Sequence, residues 1–170
     1  MLSTRARPRT QVDYTRARRG SFYGDAWVVS DAVLSDKLVG PNGQKSYALH
    51  ETFPTSLVFV AGPNCGAKGR NSISTTWRTY NTYAEADFSI FRAGVKAALH
   101  AGLVAMARHG YDVALLAHVS AGIYAGPHQQ ALRDDFGDLV NELLDTPCAT
   151  PSGAIPLGEY FQRVVLPTLG

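Results

Sequence analysis

Ser120-Ala121-Gly122-Ile123-Tyr124-Ala125-Gly126 is the stretch whose residue types come closest to a binding chemistry. Gly122 and Gly126 allow the backbone to turn and let a ligand reach main-chain N–H groups with no Cβ in the way. A helical pattern follows directly, and the donors and partial positive charge at a helix start favour an anion, so phosphate is the ligand these features suit. The same glycines also serve a plain strand-to-helix turn that has geometry as its only purpose. Serine hydrolase chemistry, with Ser120 beside His118 or His128, lacks both the G-x-S-x-G elbow and a paired acid.

A second loop of small residues is Gly62-Pro63-Asn64-Cys65-Gly66. Cys65 and Cys148 have no C-x-x-C partner, and the five histidines show neither H-x-x-x-H nor H-x-H spacing, so no metal site is indicated and free thiols in a reducing compartment are expected. No cofactor is expected either.

Elements must hold these loops. Residues 111–119 form an apolar run bounded by turn signals, which suits a strand covered on both faces. The period then changes to that of a helix at Leu132, Phe136, Leu139, Val140 and Leu143. Residues 56–61 read as a second buried strand leading into the Pro-Asn loop, and residues 67–83 as a long irregular connection. The longest helix is expected over residues 85–109, with apolar positions at Phe88, Phe91, Val95, Leu99, Leu103 and Met106. Glu85 and Asp87 stand in its first turn, Arg108 and His109 in its last, and Gly110 is its stop. Upstream, residues 27–29 and 32–34 are β-prone, residues 40–43 are a turn signal, and residues 47–50 suit a short return strand. Residues 146–158 read as loop and residues 161–166 as a last strand. This order predicts an α/β fold, a mixed sheet between helices with right-handed crossovers. If the strands at 56–61 and 111–119 are parallel neighbours, their two loops open on one sheet edge and line one cleft.

A chain of 170 residues suits one domain, and 45% hydrophobic with 18% charged residues is ordinary for a globular protein. The net charge of +2 is uneven. Residues 1–22 hold Arg5, Arg7, Arg9, Arg16, Arg18 and Arg19 against Asp13 alone, which gives this arm +5 and the remainder −3. A basic arm of this kind is either solvated or in contact with phosphates of a ligand or nucleic acid, but no aromatics interleave with its first three arginines as a single-strand stacking surface requires. With no signal segment at the start and no apolar run long enough to cross a bilayer, a cytoplasmic protein is expected.

Taken in order, the strand ending Phe59-Val60-Ala61-Gly62-Pro63-Asn64, the long helix, Gly110-Tyr111-Asp112-Val113-Ala114-Leu115-Leu116, the Gly-aromatic loop, the helix and the final strand resemble the macro-domain superfamily, in particular microbial-type poly(ADP-ribose) glycohydrolases. The resemblance covers roughly residues 11–166. It implies a three-layer α/β/α domain with a mixed central sheet over residues 23–170, preceded by the basic arm 1–22. It implies ADP-ribose, or a protein carrying it, as the partner. The diphosphate would lie on the loop formed by Ser120, Gly122, Ile123, Tyr124, Ala125 and Gly126, with Tyr124 beside the distal ribose. Pro63 and Asn64 match the family's Pro-Asn turn, where an asparagine offers a donor and an acceptor to ribose hydroxyls and is also a common turn residue.

The catalytic end departs from the family. Its triple-glycine loop is absent from residues 1–9, and its Gln-Glu-Glu motif is matched only by Gln11-Val12-Asp13, which sets Asp13 where the acid would stand. The first strand and much of the adenine pocket also lack counterparts. The resemblance therefore implies an ADP-ribose-binding domain that is a weak glycohydrolase acting through Asp13; the alternatives are a non-catalytic reader of ADP-ribose or a nucleotide, and a structural or interaction protein that has lost the ligand site.

Overall fold

In a computed structural model, the structure describes residues 23–33, 36–39, 45–48, 54–66, 81–150 and 153–166. The basic arm with Asp13, the turn signal at 40–43 and most of the 67–83 connection lie outside the described residues.

In chain order the elements are β1 (Ala26–Val33), β2 (Asp36–Val39), β3 (Lys45–Ala48), β4 (Pro54–Val60), α1 (Thr82–Ala86), α2 (Phe88–Arg108), β5 (Val113–Leu115), a 3-10 segment (Ile123–His128), α3 (Gln129–Leu144), β6 (Pro147–Thr150), β7 (Gly153–Pro156), α4 (Leu157–Tyr160) and β8 (Arg163–Val165). The fold is mixed α/β. Among the described residues the strands form four two-stranded sheets: antiparallel β1–β4, β2–β3 and β6–β7, and parallel β5–β8.

Helix α2 is the axis of the molecule. Asp87 caps it, its carboxylate accepting from the Ser89 hydroxyl and from the Ser89 N–H, each at 2.7 Å, and these two bonds hold that carboxyl below its usual range. The helix therefore starts three residues later than Glu85, which belongs instead to α1. At the far end the His109 N–H bonds to Ala105 O at 3.1 Å, and Gly110 stops the helix with φ 75°. Phe91, Val95, Leu99 and Leu103 are buried at the expected three- and four-residue spacing. By length and composition α2 could cross a membrane, contrary to the expectation that no run of this kind is present. Here its apolar stripe joins the core instead.

Helix α3 packs against α2 through Leu132, Phe136, Leu139, Val140 and Leu143, all five buried as the periodicity predicts. Charges lock the pair at the surface. Arg92 bonds Asp135 through Nε at 2.6 Å and Glu142 through Nη2 at 2.7 Å, and Lys96 adds a bond to Glu142 at 2.7 Å.

The strands depart from the sequence expectation in three ways. Those expected to be covered on both faces are covered on one. Val60 and Val58 meet α2 at Gly102, where a Cβ would lie 3.2 and 3.9 Å from their Cγ1 atoms, whereas Leu57 and Phe59 are 38% and 56% exposed. Likewise Ala114 is buried between Val113 and Leu115, which are 52% and 67% exposed, and β5 is only three residues long. Second, the two β-prone runs near residue 30 join into one strand, β1, with a register shift between Val29 and Ala32, and the return strand lies at Lys45–Ala48.

Third, the stretch expected as loop over residues 146–158 contains the β6–β7 hairpin and the start of α4. Backbone pairing needs no large side chains, and Pro147 opposite Pro156 occupies the open end of the ladder, where a missing N–H does least harm. The Leu157 N–H closes that end on Thr146 O at 2.9 Å.

Candidate functional site

The loop after β4 is built from the inside. Pro63 is fully buried and Asn64 is 7% exposed. The Asn64 Oδ1 accepts from the Gly66 N–H at 3.1 Å, a local bond that folds residues 64–66 into a tight turn. Its main-chain carbonyl accepts from the Asn81 N–H at 2.8 Å. Asn81 itself is fully buried.

The loop after β5 turns at Ser120, the one non-glycine residue with positive φ (58°) among the described residues. It then enters the 3-10 segment, where the Ala125 N–H bonds to Gly122 O at 3.0 Å, and bends again at Gly126, φ 56° and ψ −125°.

The two loops lie against each other, although β4 pairs with β1 and β5 with β8 rather than with one another among the described residues. The Cys65 N–H donates to Tyr124 O at 2.7 Å. Three glycines allow the approach. A Cβ on Gly62 would strike the Ser120 hydroxyl and lie 2.6 Å from Val119 Cγ1. One on Gly66 would strike the Ile123 carbonyl, and one on Gly126 the Cys65 carbonyl. Strand pairing is thus not what unites the loops; missing side chains and one main-chain bond do so.

The contacts sort the sequence-predicted residues into two groups. Pro63, Asn64 and Ala125 are buried supports, and Ser120 is half-buried against Gly62. Gly122, Ile123 and Tyr124 face outward, Ile123 at 74% and Tyr124 at 46% exposure, and nothing lies within 4 Å of a Cβ placed on Gly122. Gly126 is exposed on one side and touches Cys65 on the other. Asp13 lies outside the described residues.

Three residues support the loops, of which sequence reasoning singled out His128 alone, and only as a possible base for Ser120. Asn81 caps α1, its Oδ1 accepting from the Ala84 N–H at 2.9 Å, and its Nδ2 donates to Tyr23 Oη at 3.0 Å. Tyr23 is buried over Gly94 of α2, where a Cβ would sit 2.9 Å from its ring, and burial raises its phenol pKa. His128 places Nε2 2.7 Å from Ala84 O and its ring 5.6 and 5.1 Å from those of Phe88 and Phe91. The sequence signal for Asn81 was present: an asparagine just before a helical turn is a cap.

The chemistry available here is that of holding rather than attacking. Burial, with Glu85 nearby, pushes the Cys65 thiol up to about 12, so it stays neutral and unreactive. His118 packs on Phe136 with ring centroids 4.4 Å apart, and burial lowers its pKa. Neither His118 nor His128 bonds to Ser120 among the described residues, so a nucleophile and base are not paired there. Also among the described residues, no group of three or more His, Cys, Asp or Glu side chains could hold a metal ion. No family model, curated protein or solved structure matches the chain.

Proposed function

We propose that this chain is a macro-type α/β domain that binds ADP-ribose, with the diphosphate on residues 120–126. In this reading the small sheets belong to one mixed central sheet of a three-layer α/β/α domain, with α2 against one face of β1–β4. The observation that carries the proposal is the docking of the two loops. Cys65 N–H to Tyr124 O and the three glycine contacts hold Gly122, Ile123 and Tyr124 outward on a buried base.

The chemistry follows from what those residues present. Open space over the Gly122 α-carbon admits a phosphate oxygen close to the main chain. The first N–H groups of a helical turn have no partner within that turn, so those of Ile123 and Tyr124 can serve as donors to the anion. The half-exposed Tyr124 ring supplies an apolar face with a polar tip, which suits a ribose. Pro63 and Asn64 set the floor of the loop.

Calorimetric titration of the whole chain with ADP-ribose tests binding. Heat that saturates, and that weakens in Tyr124→Ala, is expected; absence of binding at millimolar ligand refutes the proposal. Catalysis is a separate matter. A glycohydrolase would need a carboxylate to assist cleavage at the ribose anomeric carbon, help worth roughly 10²–10⁴-fold, and Asp13 is the acid that the motif offers. Release of ADP-ribose from a modified protein, lost in Asp13→Ala, would make the domain an enzyme; binding without release would make it a reader.

A further inference from the structure

Both loops are tied to one short turn. The Asn64 carbonyl accepts from the Asn81 N–H, 2.8 Å away, which holds the first loop. The Asn81 Oδ1 accepts from the Ala84 N–H at 2.9 Å, and the Ala84 carbonyl lies 2.7 Å from His128 Nε2, which holds the end of the second. A carbonyl only accepts, so Nε2 carries the proton and donates. Asn81 is anchored in turn by its Nδ2 bond to buried Tyr23. The Cys65–Tyr124 bond closes the circuit between the loops.

The exposed residues 122–124 are therefore pinned at two successive points from Tyr124 onward. Tyr124 O is held by Cys65, and four residues on, beyond the bend at Gly126, His128 is held by Ala84. We infer that His128 is a positioning residue, which transmits the fixed geometry of the Asn81–Ala84 turn to the loop that presents Gly122, Ile123 and Tyr124. This role rests on the ADP-ribose proposal only for its ligand; the coupling between turn and loop stands on the hydrogen bonds.

His128→Phe isolates the link, because a phenyl ring keeps the packing against Phe88 and Phe91 and removes the donor. His128→Gln restores a side-chain N–H. Hydrogen–deuterium exchange of the whole chain reads the loop without any ligand, and titration with ADP-ribose reads its use. In His128→Phe, exchange of amides 120–126 should rise on the order of fivefold to tenfold, the worth of one net hydrogen bond. Exchange in α2 and α3 should stay unchanged, and ADP-ribose binding should weaken by a similar factor. His128→Gln should recover much of both.

Unchanged loop exchange in His128→Phe overturns the coupling. Faster exchange with wild-type affinity overturns the positioning role. If the wild-type chain does not bind ADP-ribose, that proposal fails by itself, and the exchange comparison still decides the coupling. Should His128→Phe fold poorly, Asn81→Ser gives the second measurement. It keeps a capping oxygen, loses the donor to Tyr23, and should loosen the same loop amides; no change there overturns the coupling as well.

Discussion

Gly122 and Gly126 sit four residues apart in one loop, yet alanine should act oppositely at the two positions. Gly126 has φ 56° and ψ −125°, a backbone state that side-chain-bearing residues adopt at a cost of roughly 1–3 kcal/mol. A methyl there would also land on the Cys65 carbonyl oxygen, 2.7 Å from its carbon and 3.1 Å from Cys65 Cβ. The obstacle is backbone that Tyr124 already holds, so relief requires the loops to separate, with an overpacking cost of roughly 1–3 kcal/mol more. The sum is about 2–6 kcal/mol. At roughly 2–4 °C per kcal/mol for a domain of this size, Gly126→Ala should melt on the order of 10 °C lower. At Gly122 nothing lies within 4 Å of a Cβ, so Gly122→Ala meets no clash and should melt well above Gly126→Ala, while under the proposed function it lowers ADP-ribose affinity. Thermal unfolding followed by circular dichroism, with both variants beside wild type, measures the contrast. A Gly126→Ala protein melting within about 2 °C of wild type would mean that the two loops do not meet as described.

Arg92 is three-quarters covered and bridges Asp135 and Glu142, so Arg92→Met should lower stability by about 1–2 kcal/mol in urea unfolding. An unchanged midpoint would mean that the bridge contributes nothing. The hydrogen bonds from Arg92 and then Lys96 hold the Glu142 carboxyl at about 2, below its ordinary 4.5. A pKa lowered by folding contributes stability that is complete above pH 4.5 and is lost as pH falls toward 2; Glu142→Gln should flatten the acid limb of a stability profile over that window, and an unaltered limb would discount the bridge. The Cys65 thiol, buried and raised to about 12, should resist a thiol reagent at pH 8 until the chain unfolds. Rapid labelling of Cys65 in the native protein would show that its cover opens readily.

The helices were legible because a helix that buries one stripe writes its period into the chain. Leu132, Phe136, Leu139, Val140 and Leu143 are all inside, as are Phe91, Val95, Leu99 and Leu103. Strands were harder to read. An apolar run such as Leu57-Val58-Phe59-Val60 looks the same whether both faces are covered or one, and only the structure turns Phe59 outward. The β6–β7 hairpin was invisible because, Ile155 apart, its pairing runs through the main chain of Pro, Cys, Ala, Thr and Gly residues with little side-chain pattern. At the site, both loops were found from their glycines. What was missed is the support: Asn81 sits in a polar stretch that resembles a connection, and its buried bonds to Tyr23 and Ala84 link residues 58 and three positions away.

The parallel pairing of β5 with β8 bears on the order in which the chain can fold. β5 has no other sheet partner among the described residues, and the Leu116 N–H just beyond it also bonds to Val165 O, at 3.0 Å. On a ribosome, residues 113–115 emerge long before residues 163–165 do, whereas β1, β4 and α2 can already be in contact. The loop that presents Gly122 to Tyr124 therefore leaves a strand that stays unpaired until residues 163–165 have emerged. The docking of that loop on residues 62–66 and on Ala84 uses no residue of β8, so a chain halted before Arg163 would hold its helices and its loop contacts with β5 still unpaired.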